Sequence, residues 1–195
     1  MSRPWIAAAI AASLSAFAIS YAFASPEAEP PAPRLVHRLG WPKPGPPPSS
    51  WHRAGAAGTP AVLAYPRAWR AIGGDPGTVS AALRAGGRIV GYLNATPQGG
   101  KETLANWLNF RPDHNREEGD RGIAALAGKR GLPFRTGHGS CLVDGYTTPT
   151  GSRYRELACI VAGRRATTVV VGSAVPGHWS SLAPVLRGAV SSFTT

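Results

Sequence analysis

Apolar positions along the chain set out its elements before any chemistry is considered. Ala61 to Tyr65 is a short apolar run that predicts a strand, closed by a turn at Pro66 and followed by an isolated aromatic, Trp69. Thr78 to Leu83 and Arg88 to Thr96 predict a hairpin around Gly86-Gly87. Leu104, Trp107 and Leu108 share one face at i, i+3 and i+4, which predicts a helix over Lys101 to Phe110 bounded by Pro112. A second helical piece is expected over Arg121 to Lys129. Three more strands are expected at Gly139 to Thr147, Arg153 to Val161 and Arg165 to Val175, with turns at Pro149 to Ser152 and at Gly163-Arg164. Leu182, Val185, Leu186, Ala189, Val190 and Phe193 keep the helical period to the end of the chain. That last helix is expected to begin near Ser180 or Ser181, because Pro184 lacks an N–H and is tolerated in a first turn. The pattern describes an α+β domain over 61–195: a mostly antiparallel sheet flanked by helices.

The pattern upstream is different. Arg3 is followed by an uncharged run from Ile6 to Ala24 that ends Ala22-Phe23-Ala24 before Ser25-Pro26, the small-x-small signature of a signal-peptidase site. The run is also about as long as a bilayer-spanning helix requires, so residues 1–24 read as a signal peptide or a membrane anchor, with membrane association through 4–24. In the second case Arg3 stays inside and everything after Ser25 lies outside. Between Ser25 and Pro60 there are ten prolines and no apolar period, which predicts a disordered, Pro-rich linker over 25–60. In polyproline geometry it would reach up to ~100 Å. Both options place the domain outside the cytoplasm, secreted or membrane-anchored.

Charge adds less than its size suggests. Lys plus Arg number 21 against 10 Asp plus Glu, a formal net charge of +11, which favours anionic envelope polymers as partners. Yet the basic residues are spread thinly from Arg34 to Arg187, with Lys129-Arg130 and Arg164-Arg165 the adjacent pairs, so no patch is visible in the sequence. No nucleic-acid partner is expected.

Cys141 and Cys159 are the two cysteines. If their strands pair about a turn centred on Thr150, facing residues have numbers that sum to 300, and 141 plus 159 meets that condition. In an oxidising compartment such a pair predicts a disulfide.

Tyr65-Pro-Arg-Ala-Trp69 after an opening strand, the Leu104/Trp107/Leu108 helix, and a terminal helix from Trp179 through Ser192-Phe193 resemble the PsbP-like α/β/α sandwich, in particular its exported actinobacterial branch of LpqN type. The resemblance covers about Ala61 to Thr195. It implies an accessory, assembly or binding domain and carries over no catalytic residue set. The lipidation cysteine of the lipoprotein branch is missing from this sequence.

Candidate chemistry is sparse. His138, Cys141 and Asp144 supply a base, a nucleophile and an orienting carboxylate by type, but strand alternation turns Cys141 away from the other two. Gly99-Gly100-Lys101 imitates a phosphate loop, yet Glu102 stands where Ser or Thr would hold magnesium. Asp113, His114, Glu117, Glu118 and Asp120 form an acidic run without calcium-loop spacing and are expected as a solvated loop. Trp41 and Trp51, within the expected linker, have three destinations: the domain, a membrane surface or a partner. The reading is an exported envelope accessory or binding domain without a cofactor, engaging an envelope protein or anionic polymer through arginines and a groove beside the sheet. The alternative is a small extracytoplasmic hydrolase whose residues, for instance His138 near Asp144 or Glu156, converge in three dimensions.

Overall fold

Thr167–Ala174 is a run of β-branched residues buried on both faces, and the rest of the domain is layered on it. The computed structural model describes residues 40–195; the expected signal or anchor segment and linker positions 25–39 lie outside them. Nine strands are described: β1 (His52–Gly55), β2 (Val62–Tyr65), β3 (Arg70–Ile72), β4 (Val79–Ala85), β5 (Arg88–Pro97), β6 (Arg121–Phe134), β7 (Gly137–Thr147), β8 (Arg153–Gly163) and β9 (Thr167–Ala174). β1 and β2 form a separate antiparallel pair, and the other seven form one sheet in the order β3-β4-β5-β9-β8-β7-β6, antiparallel throughout.

One face of the sheet is covered by the terminal helix α2 (Pro176–Ser192) together with β2. Trp179, Leu182, Leu186, Ala189 and Val190 recur at helical spacing and pack with Leu93, Leu157, Val170 and the two cysteines. Two glycines allow the close approach: a Cβ at Gly172 would lie 3.1 Å from that of Leu186, and one at Gly91 would lie 2.9 Å from Leu182 and Trp69 side-chain atoms. The other face is half covered by α1 (Trp107–Glu117), where Trp107 packs on Ala158, Ile160, Val169 and Val171 and donates its ring N–H to the Ala158 carbonyl at 3.0 Å.

Five expectations are corrected. The helix expected over Lys101 to Phe110 begins six residues later, at Trp107, and runs through Pro112 to Glu117. Its start is fixed by a reciprocal turn in which the Thr103 N–H donates to Asn106 Oδ1 at 2.7 Å and the Asn106 N–H to Thr103 Oγ1 at 3.1 Å. The acidic run is therefore the end of a helix, with Arg116 paired to Asp113 and His114 to Glu118, rather than a loop.

Arg121 to Lys129 is strand, not helix: its Ala-rich composition favours a helix, but pairing with β7 overrides that preference. Gly122 (φ 60°) and Gly131 (φ 67°) sit inside two of the register shifts, the positive-φ positions that a bulge needs. These bulges, with Lys129 and Arg130, blunt an edge strand. α2 begins at Pro176, which takes the first-turn role expected of Pro184. Pro184 instead lies inside the helix on its exposed side, where water can reach the Ser180 carbonyl it leaves free.

The linker expected over 25–60 is packed chain from Gly40 onward. β1 pairs with β2 from His52↔Tyr65 to Gly55↔Val62, the Lys43 N–H donates to Ser191 Oγ at 3.1 Å, and Trp41 and Trp51 pack on the core. Prolines fix φ and so lower the entropy cost of ordering this segment, while the two indoles supply the buried surface. Of their three destinations, the tryptophans take the domain.

Cys141 and Cys159 face each other in the β7–β8 register and are joined by a disulfide, with Cα atoms 4.1 Å apart and both residues buried. Closing a loop of 18 residues constrains the unfolded chain by about 3 kcal/mol. Cys141→Ser is accordingly expected to lower unfolding free energy by ~3 kcal/mol. Urea melts of the oxidised and reduced wild type are expected to show the same gap; coincident melts would refute the stabilising role.

Candidate functional site

Alternation along β7 and β8 decides which side chains meet beneath α1. The register pairs Ser140↔Ile160, Leu142↔Ala158, Asp144↔Glu156 and Tyr146↔Tyr154, all facing that helix. α1 contributes Arg111 and, one turn later, Asn115. Arg111 Nε donates to Glu156 Oε1 at 2.8 Å, and the Tyr146 hydroxyl donates to Glu156 Oε2 at 3.0 Å. Glu156 is 1% exposed and Asp144 fully buried, and neither carboxyl oxygen of Asp144 nor the side-chain amide of Asn115 has a protein hydrogen-bond partner.

Two carboxyls side by side in a dry site cannot both carry charge cheaply. Burial, then the neighbouring Glu156 carboxylate, pushes Asp144 up to about 8, with Arg111 pulling the other way. Burial by itself would lower the Arg111 guanidinium, but the Glu156 carboxylate outweighs it and holds Arg111 above its ordinary value. The Tyr146 phenol is raised by burial and by Glu156. The cluster is thus a pair of carboxyls with one guanidinium: Glu156 takes the ion pair and Asp144 stays protonated at neutral pH. A neutral buried carboxyl is a general acid by type, but Asp144 has no exposed surface through which to meet a substrate.

Other sequence candidates fall elsewhere. His138 is exposed near the start of β7, six residues from Asp144 and so ~20 Å away, while Cys141 is in the disulfide on the α2 face. The N–H groups of Gly99 and Gly100 do form an anion cradle, and the chain's own Glu102 carboxylate fills it.

Beside α1, where the helix leaves the β5 and β9 part of the sheet uncovered, lies an open groove of about 430 Å³. Thr96 and Val169 supply sheet positions, Lys101 the preceding loop, and Phe110, Arg111 and His114 the helix. Arg111 joins the two features: its Nε is fixed by Glu156 below, and its side chain, 15% exposed, lines the groove above. Sequence reasoning names a groove beside the sheet, and Asp144 and Glu156 as possible partners of His138, but neither Arg111 nor the pairing of the two carboxyls with each other. The sum-to-300 relation that pairs the cysteines also pairs 144 with 156, so that signal was present.

No family model and no curated protein matches this chain in sequence. Solved structures do. Cyanobacterial PsbP (CyanoP) from Synechocystis superposes with a TM-score of 0.56 at 14% identity, covering 76% of this chain and 94% of that one. A Pseudomonas aeruginosa protein of unknown function gives 0.50 at 14% identity, covering 75% and 98%. LpqN, involved in cell envelope biogenesis of Mycobacterium tuberculosis, gives 0.39 at 13% identity over 74% and 90%, a TM-score below the level at which a shared fold follows. The likeness to the first two is one of fold: this chain has the PsbP-like architecture, a mostly antiparallel sheet with helices on its faces.

Proposed function

We propose that this chain is an exported cell-envelope accessory domain that acts by binding, held outside the membrane by its N-terminal segment. The observation that carries the reading is the groove beside α1, in which Arg111 is fixed from below by Glu156 and set among Phe110, Lys101 and His114. Side chains positioned before a ligand arrives lower the ordering cost of recognition. The Cys141–Cys159 disulfide supports the compartment, because such bonds persist in oxidising surroundings. The constellation offered for the hydrolase alternative, His138 near Asp144 or Glu156, does not support it, because both carboxyls are buried and His138 lies exposed near the far end of β7.

The test uses the full chain. Cell fractionation with thiol labelling is expected to find it in the envelope or medium, unreactive toward maleimide until reduced. Capture from native envelope extract is expected to retain a partner that high salt releases and that Lys101→Glu with Phe110→Ala fails to retain. A cytoplasmic chain with free thiols, or equal capture by the double variant, would refute the reading.

A further inference from the structure

Acidic residues are absent from 76–101, 145–155 and 157–195, as they are from 30–74 and 121–143. The fold brings one part of each of the first three to a single recess of about 900 Å³ at the start of α2, walled by the β4–β5 turn on one side and the β7–β8 turn on the other. Arg88 enters from β5, Arg153 from β8 and His178 from the first turn of α2, with Ile89, Ser152 and Tyr154 completing the walls. No carboxylate lines it. Among the described residues the ion pairs are Arg111–Glu156, His114–Glu118 and Arg116–Asp113, so neither arginine of the recess is neutralised. Arg155 belongs elsewhere, its guanidinium lying 6.0 Å from the centre of the Trp179 ring. Among the described residues the exposed acidic ones are Asp75, between β3 and β4, and Asp113, Glu117 and Glu118 on α1 and its following turn, and none of them lines the recess.

From this placement we infer that the recess binds the phosphodiester groups of a soluble anionic envelope polymer. The inference rests on the reading of an envelope binding domain and names its ligand class and a second contact surface. Two unpaired guanidiniums in a concave site attract more than one negative charge and can donate to phosphate oxygens in pairs. The volume admits consecutive units of a polymer. Walls on both sides favour a strand laid into the recess over a headgroup held flush in a bilayer, which shares the phosphodiester chemistry.

The experiment is calorimetric titration of the full chain, in non-ionic detergent, with poly(glycerol phosphate), and in parallel with phosphatidylglycerol bicelles. Arg88→Glu with Arg153→Glu is compared with Arg164→Glu with Arg165→Glu, which makes the same charge change in the β8–β9 turn. That turn lies at the far end of the 11-residue β8, ~35 Å from Arg153. The polymer is expected to bind the wild type, the recess variant to lose roughly tenfold or more in affinity, and the control variant to change less than about threefold. These positions are exposed, so both variants are expected to melt close to the wild type. Equal losses in the two variants would reduce the effect to net charge and overturn the inference. So would binding of bicelles without binding of polymer, or no polymer binding at all. If the recess variant behaves as wild type while export and groove-dependent capture stand, the recess fails and the binding-domain reading survives.

Discussion

Arg111→Met is expected to lower the stability of the folded domain by about 3–5 kcal/mol, the cost of removing one partner from a buried ion pair. Methionine keeps most of the aliphatic stem, so the loss is of charge and hydrogen bonding more than of packing. What remains is a Glu156 carboxylate at 1% exposure beside Asp144, with the Tyr146 hydroxyl as its other donor. Adding Glu156→Gln removes the stranded charge, and the double variant is expected to recover much of the loss. Chemical denaturation of the four proteins measures the coupling, expected at ~1–3 kcal/mol. Additive losses would show that Arg111 and Glu156 do not depend on each other. The same series bears on the groove, because Arg111 is held there by Glu156: partner capture is expected to fall in Arg111→Met even where the domain remains folded.

Why this cluster escaped sequence reading is a matter of distance along the chain. Arg111 and Glu156 are 45 residues apart, and the helix that carries Arg111 starts later than the pattern suggests because Leu104, Trp107 and Leu108 have helical spacing whether or not the first of them is in the helix. Leu104 in fact packs on the α1 side from the preceding loop. Local signals that a neighbour could not override were legible: Gly86-Gly87 turns β4 into β5 with both glycines at positive φ, and the Leu182 to Phe193 period places α2 on the sheet. Where a segment's own preference and its partner's demand disagreed, as in Ala-rich β6, the partner prevailed. The basic recess was hidden for the same reason as the carboxyl pair. Arg88, Arg153 and His178 are 153 − 88 = 65 and 178 − 153 = 25 residues apart, and a thin spread along the sequence says nothing of where turns gather. Trp41 and Trp51 sit among prolines that mimic a spacer's composition, and their burial against the core becomes readable only once α2 offers a surface.

Asp144→Asn is expected to stabilise the domain at mildly alkaline pH and to flatten its pH dependence. In the folded chain burial and Glu156 push Asp144 from its ordinary 3.8 up to about 8, whereas in the unfolded chain it titrates near its ordinary value. Between those limits the folded state binds a proton that the unfolded state releases, so this group's contribution to stability is full below pH ~4 and declines as pH rises, until it is lost above pH ~8. At ~1.4 kcal/mol per pH unit, a displacement from 3.8 to about 8, which already includes the opposing pull of Arg111, amounts to roughly 6 kcal/mol across the window. Asparagine is neutral in both states and has nearly the same shape, so it removes the slope. Melting temperatures of the two proteins are expected to lie close together at pH 4.5 and to separate steadily toward pH 8, the variant above the wild type by roughly ten degrees or more. Parallel curves, or a wild type that gains on the variant as pH rises, would mean that Asp144 is ionised in the folded domain. Arg111 would then be shared between two carboxylates, and the Arg111→Met variant would lose still more with rising pH.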